Sequence, residues 1–269
     1  MIGPGFLVLG VRAECDRVAL LETVDEWLLG LSMGQGGPLQ NIADDFVYMQ
    51  NNKTIGIVSG VIGNILKIDH NRTIVDMVNC ATYTEVISTT SQKPWVVGTQ
   101  IRHHAGDNSV SMIDTVASTT GSWFFNASQT LHYVEQENWG LIEPAKRDAR
   151  ETLKAAADAY LDMWSNKSAI DAVPWGTPCT RLEGSAYTGK GLPDDSCKVG
   201  VPSNNTQPPN SARRYVIDGS FGAISVLCVF EHLGNAADSH EFRLENGKLR
   251  YVHTMTIANS TAYEYLLDG

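Results

Sequence analysis

The sequence predicts an α+β protein made of two tandem cone-like barrels, each a curved antiparallel sheet wrapped on one helix. Three observations predict it. An Asn-Gly hairpin signal sits near the C-terminus, its surroundings recur in the first half of the chain, and one amphipathic helical stretch precedes the strands of each half.

The hairpin runs from His240 to His253 about Glu245-Asn246-Gly247-Lys248. Asn-Gly supplies the two positive-φ positions of a type I′ turn. Counting outward with period two places Leu244 opposite Leu249, Phe242 opposite Tyr251 and His240 opposite His253, all on one face. Glu241, Arg243, Arg250 and Val252 fall on the other.

The repetition is visible element by element. Thr99-Gln100-Ile101-Arg102 parallels His240-Glu241-Phe242-Arg243, and Ser111-Met112-Ile113-Asp114-Thr115-Val116 parallels Arg250-Tyr251-Val252-His253-Thr254-Met255. Arg72-Thr73-Ile74-Val75-Asp76 matches Arg214-Tyr215-Val216-Ile217-Asp218, and the helical stretch from Leu20 to Leu28 matches the one from Leu153 to Leu161. A shared order of helix, strand, strand and hairpin reads as a tandem duplication. The division is residues 1–14 as a leader, 15–120 as the first lobe, 121–143 as an aromatic linker packed between lobes, and 144–262 as the second lobe.

In the first lobe, Leu20, Leu21, Val24, Trp27 and Leu28 recur at helical spacing, so Arg17 to Leu31 lies across a sheet and ends at Gly34 to Pro38. A strand begins at Asp45, with Tyr48 pointing inward. The Gly-containing stretch Val58 to Ile68 is a short helix or a turn, and strands follow at 73–78, 81–89, 95–103 and 110–117. The linker carries Trp123, Phe124, Phe125, Tyr133 and Trp139, too apolar for a free tether. Glu143 and Pro144 start a second helix that continues to Ser165, with Leu153, Ala156, Ala157, Tyr160 and Trp164 on its buried face. A Gly- and Pro-rich insertion separates it from the remaining strands.

Composition bounds the function. With 269 residues, 43% hydrophobic and 19% charged, the chain is globular, and its net charge of −10 excludes the basic surface that nucleic acid requires. No apolar run reaches membrane-spanning length. Six glycosylation sequons begin at Asn52, Asn71, Asn126, Asn166, Asn204 and Asn259, and the apolar run Phe6 to Val11 resembles the tail of a signal peptide, so a secreted protein is expected. One disulfide per lobe, Cys15 with Cys80 and Cys179 with Cys197, is the simplest pairing and leaves Cys228 a buried thiol. No Cys-X-X-Cys pair is present, and no metal or cofactor is expected.

His240 and His253 flanked by Tyr251 and Phe242 form the candidate catalytic group, because a neutral imidazole exchanges a proton near neutral pH and a partner fixes its tautomer. The alternative is a satisfied core pair. Asp114, at the repeat position of His253 and on a face with Thr99, Ile101 and Met112, is either a general base in an apolar cavity or a hydrogen-bonded structural acid. Arg181 and Glu183 share a strand face and are either an internal ion pair lining the second cavity, with Arg181 a candidate substrate contact, or a structural pair. Trp175 is a pocket lid or a packing anchor, and Tyr160, Tyr187 and Tyr48 complete the candidate substrate contacts.

One helix laid across a curved sheet with an open-ended interior resembles the nuclear-transport-factor-2-like superfamily, which includes ketosteroid isomerases and SnoaL-type cyclases. The chain also resembles a family of secreted fungal proteins through Leu66-Lys67-Ile68-Asp69-His70-Asn71-Arg72, Lys146-Arg147-Asp148-Ala149-Arg150, the stretch from Val173 to Gly184, and Asp238-Ser239-His240-Glu241-Phe242-Arg243. That resemblance implies a cofactor-independent cyclase or isomerase, of Diels-Alder type in some relatives, acting on a hydrophobic natural-product intermediate. A secreted protein that binds a small molecule without converting it is the alternative.

Overall fold

Asp16 accepts backbone hydrogen bonds from Val18 and Ala19 and so starts helix α1 (Arg17–Met33), which ends where Gly34 turns left-handed at φ 68°. From there the computed structural model describes residues 15–35, 39–89, 93–201 and 207–258. The leader at 1–14, Asn204, Asn259 and the last residues of the second lobe lie outside them.

The first lobe contains β1 (Ile42–Gln50), β2 (Lys53–Thr54), β3 (His70–Asp76), β4 (Ala81–Ser88), β5 (Trp95–His103) and β6 (Val110–Thr119). A linker with helix α2 (Ala127–Val134) leads to α3 (Arg150–Asp162), and the second lobe continues with β7 (Trp175–Glu183), β8 (Ala186–Tyr187), β9 (Asn210–Asp218), β10 (Ala223–Phe230), β11 (Ala236–Glu245) and β12 (Lys248–Thr256). The strand orders are β2-β1-β6-β5-β4-β3 and β8-β7-β12-β11-β10-β9. They are the same order six strands apart, so the duplication holds at the level of topology. Cys15–Cys80 and Cys179–Cys197 are disulfides, and Cys228 is a buried thiol.

Three expectations change. The sheets are mixed, because β1 runs parallel to β6 and β7 parallel to β12. The second helix starts at Arg150: Glu143 and Pro144 open a single 3-10 turn, and Arg147 is extended before the α-helix begins. The hairpin register also shifts. The turn is as expected, with Asn246 at φ 53° and Gly247 at φ 71°, and Leu244 does face Leu249. Beyond it Arg243 faces Tyr251, Phe242 faces Val252 and Glu241 faces His253. Arg250 is a bulge that inverts the parity of β12, so His240 and His253 are on opposite faces of the sheet. The first lobe bulges at Ser111, between the pairs Arg102–Met112 and His103–Val110. Ser111 and Arg250 occupy the same repeat position.

Each sheet presents one face to its own helix. In the first lobe Val24, Trp27 and Leu31 pack with Val86, Val97, Ile101 and Ile113, and in the second Leu153, Ala157 and Tyr160 pack with Ile224, Val226, Phe242 and Val252. The cone interiors are filled by these side chains, as expected of close-packed cores. The other faces meet each other: Ile74, Tyr83, Val96 and Val116 share a cluster with Leu182, Val216, Leu227, Tyr251 and Met255, and linker residues Ala127, Val134 and Trp139 join it. The linker therefore packs between the lobes. Close approach requires Gly98, where a Cβ would stand 2.7 Å from the Tyr83 hydroxyl.

Polar pairs cross the same boundary reciprocally. The Val75 N–H donates to Asp218 (2.9 Å) and the Ile217 N–H to Asp76 (3.1 Å), so each edge strand, β3 or β9, has a ladder group satisfied by the other lobe. Arg72 donates to Glu241, and its repeat counterpart Arg214 donates to Asp114. Asp114 itself lies beside Gln100 on the inter-lobe face, since its backbone partner is Gln100 and Ile101 pairs with Ile113. It does not share a face with Thr99 and Ile101, and the Arg214 contact excludes a free general base in the first cone. Arg214→Met should cost about 3–5 kcal/mol by leaving Asp114 buried and unpaired, while Arg214→Met combined with Asp114→Leu should recover most of it. Denaturant unfolding of both variants checks this, and equal losses would remove the pair as a determinant of stability.

Candidate functional site

The inter-lobe face gathers five charged side chains that are almost entirely excluded from water: Arg72, Glu85, Glu137, Glu241 and His253. Arg72 sits on β3 opposite Glu85 of β4, and Glu241 on β11 is opposite His253 of β12. Glu137 comes from the linker. The bulge at Arg250 is what turns His253 toward them.

His253 is held at both ring nitrogens, Nδ1 at 3.0 Å from Glu85 and Nε2 at 2.6 Å from Glu137. Burial alone would lower its pKa, but the charges of Glu137 and Glu85 outweigh burial and raise it to about 10. It is an imidazolium at neutral pH. Glu85 is buried, yet Arg72 and His253 hold its carboxyl below the usual range, and His253 does the same for Glu137. Burial pushes Glu241 up, against the opposing pull of Arg72. Three carboxylates face two cations, and protonation of Glu241 is the change that neutralises the cluster. The Arg72 guanidinium also lies 3.8 Å over the Trp139 ring.

Beside this cluster is a cleft. Its walls are apolar (Val96, Phe125, Leu182, Met255), and Tyr83, Glu85, Ser239, His253 and Thr254 supply its polar surface. Tyr83 and Ser239 approach across the boundary, hydroxyl to hydroxyl at 3.3 Å. The Thr254 hydroxyl has no hydrogen-bond partner, and Glu85 Oε2 is ion-paired with Arg72 at 3.0 Å. The water-holding volume is about 20 Å³, on the scale of a single water, so a larger molecule must part the walls.

The sequence-predicted residues fall in three places. His253 lines the cleft, with Tyr251 and Tyr187 behind it: Tyr251 stacks on Trp139 at 5.5 Å and accepts from the Asn138 N–H, while Tyr187 stacks on Tyr133 at 4.3 Å and donates to Glu137. His240, Phe242, Tyr160, Arg181 and Trp175 belong to the second lobe's interior. There Phe242 packs edge-on to Tyr160, Arg181 pairs with Glu183 at 3.1 Å, and the Trp175 indole donates to the Ile170 carbonyl, which makes it a packing anchor. Burial and then the charges of Arg181 and Arg213 lower His240 to about 3, so it is neutral. Burial raises Asp238, next to it, to about 7, and burial also raises the Cys228 thiol. Tyr48 fills the first lobe, donating to Gln50 at 2.8 Å. His240 and His253 therefore cannot act as a pair.

Of the sequons, Asn71 is exposed, Asn126 caps α2 and Asn166 caps a 3-10 turn. Asn52 is half-buried and bonded to Arg214 and to the Cys228 carbonyl. Sequence reading missed Arg72, Glu85, Glu137, Glu241, Tyr83 and Ser239 as site residues. The available signal was Glu85, a lone charge in the otherwise uncharged run from Ala81 to Thr89.

Among the described residues two groups of side chains bring metal-ligand atoms together: Glu85, Glu241 and His253 within this cluster, and Cys228, Asp238 and His240 in the second lobe. In the first, Arg72 already occupies the carboxylates and both His253 nitrogens are engaged.

A protein-family profile described as "Domain of unknown function (DUF8021)" matches residues 146–256, most of the second lobe. No curated protein matches the chain. Among solved structures, the chain is similar to an NTF2-like protein of unknown function from Shewanella baltica OS155, at 14% identity, covering 39% of this chain and 94% of that one, with a TM-score of 0.28. Among the described residues no helix is long and apolar enough to cross a membrane.

The pH dependence of stability follows from His253. Its folded pKa lies above the ordinary value of 6.5, so its contribution is complete below that value and is lost as pH rises through about 10. Glu85 and Glu137 are shifted down, and their contribution is lost on acidification. Thermal unfolding midpoints should therefore fall between pH 7 and pH 10.5, and His253→Gln should flatten that alkaline limb. A slope unchanged by the substitution would mean that His253 is not charged in the folded state.

Proposed function

We propose that the protein is a secreted, cofactor-independent cyclase of the Diels-Alder type, taking a hydrophobic natural-product intermediate into the inter-lobe cleft. The observation that carries this reading is the cleft itself, apolar on its walls and polar at Tyr83, Ser239 and His253. Both nitrogens of His253 are bound to carboxylates, which disfavours a proton-shuttling isomerase. A pericyclic closure moves no proton: two new bonds form at the expense of π bonds, and the product has the mass of the substrate. The cleft would fold the chain of the substrate between apolar walls, and the Tyr83 hydroxyl would donate a hydrogen bond to a conjugated carbonyl and withdraw electron density from it.

Two disulfides suit an oxidising compartment, and Asn71, Asn126 and Asn166 are exposed at sequons, so we place the mature protein outside the cell as a glycoprotein. Non-catalytic binding is the second reading, favoured by the carboxylates that hold both His253 nitrogens and leave that ring no proton to exchange. Native mass spectrometry of deglycosylated protein from its own host separates the two. A co-purified molecule converted to an isomer of equal mass supports catalysis, and one that stays unchanged supports binding. Tyr83→Phe should lower turnover about 100-fold and leave the fold intact. Val96→Trp, which fills the cleft, should abolish capture; capture by that variant at wild-type level would remove the cleft from the function.

A further inference from the structure

The interior of the second lobe holds three groups that the cleft does not use. Cys228 on β10 and Asp238 on β11 are direct cross-strand partners, and His240 follows Asp238 by two residues, so its ring stands on the same face. The Cys228 sulfur lies 3.8 Å from Asp238 Oδ2 and His240 Nδ1 lies 3.3 Å from the same oxygen. The three potential ligand atoms are all within 4.8 Å of one another.

These groups have little else to bind. Cys228, Asp238 and His240 are 0%, 1% and 4% exposed, and His240 Nδ1, 3.3 Å from Asp238 Oδ2, makes no hydrogen bond to it or to any other group. An orphaned ring nitrogen in a packed interior is costly. Thr256 donates to the other carboxylate oxygen, Asp238 Oδ1, at 2.9 Å, which fixes the carboxylate and leaves Oδ2 directed at the sulfur and the imidazole.

We propose that Cys228, Asp238 and His240 are a binding site for one transition-metal dication, with Zn²⁺ the best chemical fit. Tetrahedral Zn²⁺ with bonds of about 2.3 Å to sulfur and about 2.0 Å to nitrogen and oxygen spaces its ligands about 3.3 Å apart for N and O and about 3.5 Å for S and O. The two pairs that share Asp238 Oδ2, at 3.8 Å for sulfur and 3.3 Å for nitrogen, match these spacings to within a few tenths of an ångström. A thiolate, a carboxylate and a neutral imidazole bring Zn²⁺ to zero net charge, the condition under which an ion can enter a low-dielectric interior. The soft sulfur and the imidazole select Zn²⁺ over Mg²⁺ or Ca²⁺. Binding releases the thiol proton to solvent and breaks no covalent bond other than S–H.

The test uses the untagged full-length protein, stripped with a chelator and titrated with Zn²⁺ or Co²⁺ alone. One ion per chain is expected, its fourth position taken by a water from solvent, with a thiolate-to-cobalt charge-transfer band in the near ultraviolet and the strong visible bands of four-coordinate Co²⁺. Zn²⁺ should raise the thermal midpoint as its concentration increases. Cys228→Ala should lose the charge-transfer band and His240→Gln should weaken binding by more than about 10-fold, both with unchanged circular dichroism. Folded wild-type protein that takes up no ion, a cobalt spectrum without sulfur ligation, or Cys228→Ala binding as tightly as the wild type would each overturn the site. The wild-type measurements decide the matter even where a variant fails to fold.

Discussion

Each lobe presents an arginine to the other at their shared boundary. Arg72 of the first reaches Glu241 of the second, and Arg214 of the second reaches Asp114 of the first. A guanidinium cannot shed its proton to escape an apolar interface, so each arginine must find an acid there. With the reciprocal backbone bonds to Asp76 and Asp218, this makes separation of the lobes expensive at four polar points as well as across the shared apolar cluster. The same requirement explains why the central strands are buried on both faces: one side meets a helix, and the other meets its own duplicate.

That arrangement decides where a small molecule can go. In a single open-ended cone the natural site is the interior, but here Trp27, Ile101 and Ile113 fill one cone and Tyr160 and Phe242 the other. Space is left where two curved surfaces meet and cannot stay in contact along their whole length. The cleft is therefore a product of duplication and packing. It draws residues from both sheets and from the linker, and no lobe could form it alone.

Much of the fold was legible because it is written in local pattern: the helical spacing of Leu20, Val24 and Trp27, the Asn-Gly turn, and the repeated strand segments. The site was not, and for a specific reason. Period-two counting assumes an unbroken ladder, and the bulged Arg250 adds one residue to β12, which sends every later side chain to the opposite face. His253 was thereby expected beside His240 but stands beside Glu85. The repeat itself held the clue, since Ser111 bulges at the matching position, but a bulge at a polar residue in a strand leaves no mark in the amino-acid pattern. Inter-lobe partners such as Arg72 and Glu241 are 169 residues apart, beyond any local rule. The parallel pairing of β1 with β6 and of β7 with β12 is likewise a property of closure and not of their own residues.

The two halves have diverged where it matters most. His253 and Asp114 are the same position of the repeat; Asp114 faces Arg214, and His253 faces Glu85 and Glu137. In one half the position is an acid that neutralises Arg214 directly, a pair that is complete in itself. In the other it is a base that became a cation, and a second cation beside Arg72 required extra acids: Glu85 from the adjacent strand and Glu137 from the linker. Every one of these changes adds charge near the pseudo-symmetric boundary without adding apolar contact, so stability alone does not account for them. They do account for a field. A fixed imidazolium held between Glu85 and Glu137, with the Tyr83 hydroxyl nearby, gives one side of the interface a set of oriented polar groups that the Asp114 side lacks, and the cleft lies on that side.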